Sequence, residues 1–229
     1  MPQTPEHRPL RVATYNLRGL KDDADVAAQV VRRIDPDVLL LQEVPRYPGS
    51  SYAIAAFARA AGMLWSGRTR LVSGTSLMTS LRVISSDSQD RPLRVGLREN
   101  PRSYTVARLS VPGTPSVTVV SVHLSLVGEQ RVEHIAAVLR ELAEDDAPVV
   151  LGGDLNENQA GPAWGVVADR LEEVSEDRPT FPASRPQHRL DAIFSRGHRS
   201  AATGDPALLE GMPLAAATDH LPVWVDLTF

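Results

Sequence analysis

Short apolar runs recur along the chain, and they predict the strands of a buried β-sheet. Val38–Leu41 is wholly apolar, which is typical of a strand covered on both faces. The other predicted strands are apolar or alternating runs separated by polar or proline-containing turns: Leu10–Tyr15, Ser76–Ile84, Leu93–Leu97, Tyr104–Leu109, Val117–Val122, Val149–Leu151, Leu190–Phe194 and Val223–Leu227.

Three longer segments repeat apolar residues at helical spacing and predict α-helices. They are Asp22–Ile34, with acidic residues in its first turn, Tyr52–Ala61, which is followed by Gly62, and Gly128–Leu142. These helices lie between strands along the chain. The order of elements predicts an α/β or α+β fold with a substantial sheet.

The length of 229 residues and the hydrophobic content of 42% predict one globular domain with a sizeable core. We expect it to span residues 10–229, after a flexible polar segment of residues 1–9. That segment lacks the apolar run of a secretory signal, and no stretch approaches the ~20 apolar residues of a membrane span. The chain has no cysteine, which excludes disulfide scaffolds and thiolate metal sites. We therefore expect a cytoplasmic protein without stable membrane insertion.

Arginines are concentrated in one part of the chain, with nine arginines and three acidic residues between Arg59 and Arg108. Such a segment either faces a phosphate-bearing substrate or keeps an exposed surface soluble, and the second reading is the more common. The formal net charge of the whole chain is −4. This balance argues against a dedicated DNA-binding protein, which needs many cationic contacts to phosphates.

Polar side chains follow several of the apolar runs directly, where the predicted strands end. An ionised carboxylate beside a core strand needs a partner or a metal ion, because burial of an unpaired charge is costly. Each residue alone has an ordinary reading as a turn residue, a cap or a structural histidine, but the whole set favours a functional site. Its members are Asn16, Glu43, His123, Asp154, Asn156, Asp191, Asp219 and His220.

The chemistry of this set favours a hard divalent cation. Four members are carboxylates and two are amides, and their oxygens are the donors that Mg²⁺ or Mn²⁺ prefers. The two histidines remain available to move protons or to stabilise charge. The combination predicts metal-assisted attack of water on a phosphate ester.

Six short motifs occur in order along the chain: TYN at Thr14–Asn16, LQEV at Leu41–Val44, VHL at Val122–Leu124, GDLN at Gly153–Asn156, RLDAIF at Arg189–Phe194 and TDHLPV at Thr218–Val223. This series resembles the endonuclease/exonuclease/phosphatase (deoxyribonuclease-like) superfamily of metallohydrolases, and it extends over nearly the whole chain. The resemblance implies a four-layer α/β/β/α sandwich, in which two mixed sheets pack face to face with helices outside. It also implies a site at one end of the two sheets.

The resemblance further implies a metal site and a histidine held by an acid. Glu43 would be the principal Mg²⁺ or Mn²⁺ ligand, with Asn16 and Asp219 as further ligands. His220 would be either the general base that activates water or a residue that contacts the scissile phosphate. Asp191 would orient His220.

Four more roles follow from the same resemblance. Asp154 and Asn156 would align the nucleophile and stabilise the transition state. His123 would donate to a phosphoryl oxygen or protonate the leaving group. Arg131 would contact substrate phosphate, although a surface or packing role agrees equally well with its position. The remaining histidines carry no motif and are expected at the surface: His7, His134, His188 and His198.

The expected function is a Mg²⁺- or Mn²⁺-dependent phosphoesterase, with a phosphodiester favoured as substrate. A nuclease, a lipid or sphingolipid diesterase and a small-molecule or lipid-headgroup phosphatase all agree with the motifs, so the substrate is a nucleic acid, a lipid or a small molecule. A catalytically silent binding module agrees less well, because Glu43, Asp154 and His220 are all present. Arg18 stands where AP endonucleases typically carry an acidic residue, which argues against repair of abasic sites. The oligomeric state stays open.

Overall fold

The computed structural model describes residues 8–65, 73–95, 101–144 and 146–229. Within them eleven strands form: β1 (Leu10–Asn16), β2 (Val38–Gln42), β3 (Thr75–Thr79), β4 (Ser85–Leu93), β5 (Arg102–Ser110), β6 (Val117–His123), β7 (Val149–Asp154), β8 (Glu172–Glu173), β9 (Asp191–Arg196), β10 (Ser200–Thr203) and β11 (Val223–Thr228). The same residues contain the helices α1 (Ala24–Ile34), α2 (Ser50–Ala61), α3 (Gly128–Leu142), α4 (Pro162–Ala168) and α5 (Leu214–Ala217). Two short 3₁₀ turns are Arg18–Leu20 and Pro206–Leu209.

The strands form two mixed sheets. The first has the order β10-β11-β1-β2-β3, in which β1 and β2 are parallel and the other neighbours are antiparallel. The second has the order β4-β5-β6-β7-β9-β8, in which only β6 and β7 are parallel. Helix α1 connects β1 to β2, and α3 connects β6 to β7. Each parallel pair therefore has its carboxyl ends at the same edge of its sheet.

The central strands β2, β6 and β7 are buried at every position, and the two-residue period decides which core each side chain joins. A core of aliphatic side chains lies between the two sheets, among them Val12, Leu40, Val119, Val150 and Ile193. The outer face of the first sheet packs on α1 and α2, and the outer face of the second packs on α3 and α4. The predicted four-layer α/β/β/α sandwich is therefore confirmed.

Most predicted elements are present with ends shifted by a few residues, but two strand predictions are wrong. The predicted strand Ser76–Ile84 ends at Thr79, because the Val83 N–H donates to the Ser80 carbonyl and closes a turn before β4 begins at Ser85. Of the predicted strand Leu93–Leu97, Leu93 is the last residue of β4, and residues 96–97 lie outside the described residues. Residues 1–7 of the predicted flexible segment also lie outside them, so the domain boundary stays a prediction.

The histidines without motifs differ in their surroundings. His188 is exposed, as predicted, and His7 lies outside the described residues. His134 is only 2% exposed, so its predicted surface position is wrong; its Nε2 lies 2.6 Å from the Arg94 carbonyl oxygen. The side chain of His198 is 8% exposed and lies beside Glu172.

Two glycines at the end of β7 allow a close approach of backbone and sheets. A β-carbon at Gly152 would lie 2.8 Å from Leu40 Cδ1 of the opposite sheet. Gly153 has a φ of +155°, and a β-carbon there would lie 2.0 Å from the Val122 carbonyl oxygen on the neighbouring strand. Position 153 therefore requires glycine, because a β-carbon would overlap the Val122 carbonyl and because the positive φ is strained for other residues.

Substitution of Gly153 by alanine is expected to destabilise the protein by more than about 3 kcal/mol, because the new β-carbon overlaps backbone and the φ is strained. Gly165→Ala in α4 is the matched control, since its β-carbon would meet nothing within 4 Å. Helix propensity predicts that this control stabilises by about 0.5–1 kcal/mol. Urea unfolding followed by circular dichroism measures both. Equal stability of the two variants would contradict the close approach at Gly153.

Candidate active site

Several central strands have a polar residue at one end whose side chain faces the space between the two sheets. On β7, Val150 faces the opposite sheet, and Asp154 has the same parity four residues later. By the same period Asn16 ends β1, His123 ends β6 and Asp191 begins β9. His123 pairs in register with Asp154, and Asp154 with Asp191. Strand periodicity and register therefore bring these side chains together.

Asp154 is an enclosed carboxylate, 1% exposed, with polar partners on both oxygens. Its Oδ1 accepts the N–H of Asn156 over 2.9 Å, and its Oδ2 accepts the amide group of Asn16 over 3.0 Å. Burial and the charge of Asp191 raise the pKa of Asp154 to about 7, against the lowering effects of His220 and of these hydrogen bonds. A nearby cation would favour the ionised form of this carboxyl group.

Asp191 and His220 form a hydrogen-bonded pair beside Asp154. His220 Nδ1 donates to Asp191 Oδ2 over 2.8 Å, and its Nε2 lies 3.8 Å from Asp154 Oδ2. Thr180, which sequence reasoning missed, donates its hydroxyl to the same oxygen of Asp191 over 2.6 Å. Burial lowers the pKa of His220, but the charge and hydrogen bond of Asp191, with the charges of Asp154 and Asp219, outweigh it and raise the pKa to about 9. With these neighbours, the His220 ring is protonated and positively charged at neutral pH.

His123 has the opposite electrostatic surroundings. Its Nε2 lies 3.6 Å from Asp154 Oδ2, while Arg102 Nη1 lies 3.0 Å from each ring nitrogen. Burial, followed by the positive charges of Arg102, His220 and Arg46, holds the pKa of His123 well below its usual value. His123 is therefore neutral at physiological pH. Arg102 belongs to the arginine-rich segment, but the sequence alone did not single it out.

The three predicted metal ligands border this group. The Asn16 amide nitrogen lies 3.3 Å from Glu43 Oε1, and Glu43 turns into the site with a φ of +47° and a side chain 42% exposed. Asp219 pairs with Arg18 Nε over 3.3 Å. The neighbouring Thr218 donates its hydroxyl to the Asn16 carbonyl over 3.0 Å. The structure thus places the three residues around one cleft, and their role as metal ligands stays a prediction.

Asn156 and Arg131 lie beside the cleft with their side chains bonded to protein groups. Asn156 Nδ2 donates to the Leu124 carbonyl over 2.9 Å. Arg131 Nε donates to Glu157 Oε2 over 2.8 Å, and its Nη1 donates to the Leu126 carbonyl over 2.9 Å. The predicted contacts of Asn156 with the nucleophile and of Arg131 with substrate phosphate stay predictions.

The buried part of the site has two carboxylates that suit a metal ion, and a histidine nitrogen that could join them as a ligand once His220 is deprotonated. A carboxylate oxygen from each of Asp154 and Asp191 and a ring nitrogen of His220 all lie within 4.8 Å of one another. Asp191 Oδ1 is buried and has no hydrogen-bond partner among the described residues, which is costly unless a further group completes it. Carboxylate oxygens suit hard divalent cations. This group is distinct from the predicted ligand set of Asn16, Glu43 and Asp219, which borders it.

Solved structures share the fold over almost the full length. An endonuclease/exonuclease/phosphatase from Bacteroides vulgatus superposes with a TM-score of 0.76 at 19% identity, covering 97% of this chain and 100% of that chain. A mannosyl-6-phosphatase from Bacteroides thetaiotaomicron gives 0.72 at 19% identity, with 96% and 100% covered. A humanized TDP2 from D. rerio gives 0.70 at 19% identity, with 96% and 99% covered. At these identities the likeness shows the fold alone.

A comparison with curated proteins found no match. Over the described ranges, no helix has both the length and the apolar character that crossing a membrane requires. The model of the Endonuclease/Exonuclease/phosphatase family matches residues 13–220, a range that contains all the predicted site residues. The chain therefore belongs to the endonuclease/exonuclease/phosphatase family, whose members are metal-dependent phosphoester hydrolases.

Proposed function

We propose that the protein hydrolyses a phosphodiester with Mg²⁺ or Mn²⁺, by in-line attack of water on phosphorus. The observation that carries the proposal is the buried group of Asp154, Asp191 and His220, in which His220 Nε2 lies 3.8 Å from Asp154 Oδ2. Family membership supports a phosphoester as substrate.

The proposed roles of the residues are metal binding on one side of Asp154 and proton transfer by the histidines. The predicted ligands Asn16, Glu43 and Asp219 would hold the cation together with Asp154; it would neutralise developing charge and favour ionisation of water. Asp191 holds His220 by Nδ1. While the ring is protonated, its free end, Nε2, donates to a phosphoryl oxygen. A cation bound beside Asp154 would lower the pKa of His220, and the neutral ring would then take a proton from water at Nε2.

His123 acts from the other side of Asp154, 3.6 Å away. Its ring is neutral, so it donates to a phosphoryl oxygen or to the leaving group through whichever nitrogen carries the proton. Asp154 and the adjacent Asn156 align the attacking water. Because His123 lies on β6 and His220 precedes β11, the two rings approach from different sheets.

A phosphatase acting on a small-molecule or lipid-headgroup monoester is the second candidate. A protein named mannosyl-6-phosphatase shares the fold with this chain, which supports the candidate at the level of fold. A silent binding module is the third reading, and it keeps the fold without turnover. The substrate class, whether nucleic acid, lipid or small molecule, is open in each case.

With Mn²⁺ or Mg²⁺, the purified protein is expected to cleave bis-p-nitrophenyl phosphate faster than p-nitrophenyl phosphate, as measured by release of nitrophenolate. Asp154→Asn and Glu43→Gln are expected to lower kcat by about 100-fold or more, because each removes a carboxylate charge from the site. Asp226→Asn, which alters the Arg11 ion pair on β11, is the matched control and should keep its rate. Faster cleavage of the monoester would favour the phosphatase, and full activity in Asp154→Asn would contradict the mechanism.

Metal binding alone should stabilise the fold. A cation that binds only the folded protein adds about 2.7 kcal/mol at 100 times its Kd, and thermal unfolding with Mn²⁺ or with EDTA measures the difference. Asp154→Asn is expected to reduce this stabilisation, whereas Asp226→Asn should retain it. If neither ester is hydrolysed, stabilisation by Mn²⁺ would favour an enzyme selective for another phosphoester over the binding module. Absence of stabilisation in the wild type would contradict the metal site.

The EDTA-treated protein is expected to lose stability as the pH rises from about 7 to 9. The pKa of His220 is about 9 in the folded protein against ~6.5 in an unfolded chain. Its contribution to folding is therefore complete below pH ~6.5 and is lost as the pH rises through 9. Asp191→Asn removes the main cause of the raised pKa, so urea unfolding across this range should show a flatter loss. An unchanged pH slope in Asp191→Asn would rule out this account of His220.

A further inference from the structure

We infer that Arg131 and Glu157 form a buried ion pair that positions the loop after His123 against the loop after Asp154, and that this pair controls turnover without contacting substrate. The inference rests on the proposed phosphoesterase function. The His123 loop is defined as Leu124–Val127, between β6 and α3. The Asp154 loop is defined as Leu155–Gly161, between β7 and α4.

Arg131 connects the two loops through one guanidinium group. Its Nε donates to Glu157 Oε2 over 2.8 Å. Its Nη1 donates to the carbonyls of Leu126 over 2.9 Å and Ser125 over 3.3 Å, both in the His123 loop. The side chain is 16% exposed and lies in the first turn of α3. A planar guanidinium suits this arrangement, because its donors have fixed relative directions, and a lysine ammonium does not reproduce them.

Glu157 is held from its other side as well. Its side chain is 5% exposed, and its Oε1 accepts the backbone N–H of Trp164, the third residue of α4, over 2.7 Å. A carboxylate at a helix N-terminus satisfies a free N–H group and interacts favourably with the helix dipole. A β-carbon at Gly161 would lie within 2.4–2.7 Å of this carboxyl group, so glycine lets the loop close around it. Both oxygens of Glu157 therefore have fixed partners.

The position of this pair matters because the two loops directly follow His123 and Asp154, and the Asp154 loop contains Asn156. Glu157 follows Asp154 by three residues, and Asn156 between them has a left-handed φ of +52°. Asn156 adds a second link between the loops by donating Nδ2 to the Leu124 carbonyl over 2.9 Å. His123 Nε2 and Asp154 Oδ2 lie 3.6 Å apart at the starts of these loops. Asn156 lies within the Asp154 loop and bonds to the His123 loop, so a shift of either loop displaces it, and displacements near 1 Å reduce turnover by about 100-fold.

The contacts of Arg131 favour positioning over substrate binding. A phosphate that bound through Nε would have to displace the Glu157 carboxylate, which would then be buried without its charge partner. Positive charge near His123 comes instead from Arg102 and Arg46. Arg131 is therefore a positioning residue that acts through Glu157 and the loop carbonyls.

The kinetic test compares Arg131→Lys, Glu157→Gln and the double variant on bis-p-nitrophenyl phosphate with Mn²⁺. The inference predicts that each single variant lowers kcat by about tenfold or more with KM within about twofold of wild type. The double variant should lose no more than one single variant, because both changes act on one pair. A raised KM in Arg131→Lys together with a normal KM in Glu157→Gln would show that Arg131 binds substrate, and would overturn the inference.

A structural test uses the EDTA-treated proteins and amide hydrogen exchange followed by mass spectrometry. Both single variants should exchange faster in the His123 loop and in the Asp154 loop. Arg11→Lys is the matched control, because Arg11 pairs with Asp226 at the end of β1 that is remote from Asn16 and the site. It should leave kcat and the exchange rates of both loops unchanged. Unchanged exchange in either loop would overturn the inference. If the wild type hydrolyses neither ester, the proposed function fails, and exchange still decides whether the pair couples the loops.

Discussion

The site depends on two carboxylates that are buried side by side. Asp154 and Asp191 pair across β7 and β9, and both are about 1% exposed. Burial and the charge of Asp191 disfavour the ionised form of Asp154. The protein compensates with one cation, His220, and with neutral donors from Asn16 and Thr180. When both carboxylates are ionised, their charge exceeds that of His220, and the remaining negative charge would favour a bound metal cation. Members of the family depend on metal ions for hydrolysis.

The geometry of the site requires a fixed relation between the sheets, because Asn16 comes from one and Asp154 from the other. An apolar core has little directional preference, but the layer beneath the site contains directional bonds. Gln42 Nε2 donates to Ser121 Oγ across the sheets over 3.0 Å, and Ser121 Oγ donates back to the Leu41 carbonyl over 2.9 Å. These buried bonds are satisfied on both sides and so favour one relative position of the sheets. The hydrogen bond of 3.0 Å between Asn16 and Asp154 depends on it.

Strand ends could be predicted from the sequence because apolar runs mark the core, and a two-residue period determines which polar residue follows on the same face. That reasoning finds Asp154 and most of the sandwich. It misses β4, whose sequence SSDSQDRPL is polar because it forms one edge of the second sheet. It also misses Thr180, which lies in an irregular segment and reaches Asp191 only through tertiary structure. The pair of Arg131 and Glu157 has no local signal either, since 26 residues separate them.

The two histidines of the site share Asp154 as a neighbour yet carry different charges. Asp191 supports a proton on His220 against the effect of burial, whereas burial and then the charge of Arg102 disfavour a proton on His123. In the proposed in-line displacement, one side of phosphorus gains a nucleophile and the other loses a leaving group, so the charges of the two rings bear on both events. The difference in charge between the two rings therefore depends on burial and on the partners of each histidine. Residues outside the proposed reacting set, such as Arg102, thus contribute to the protonation state of the histidines.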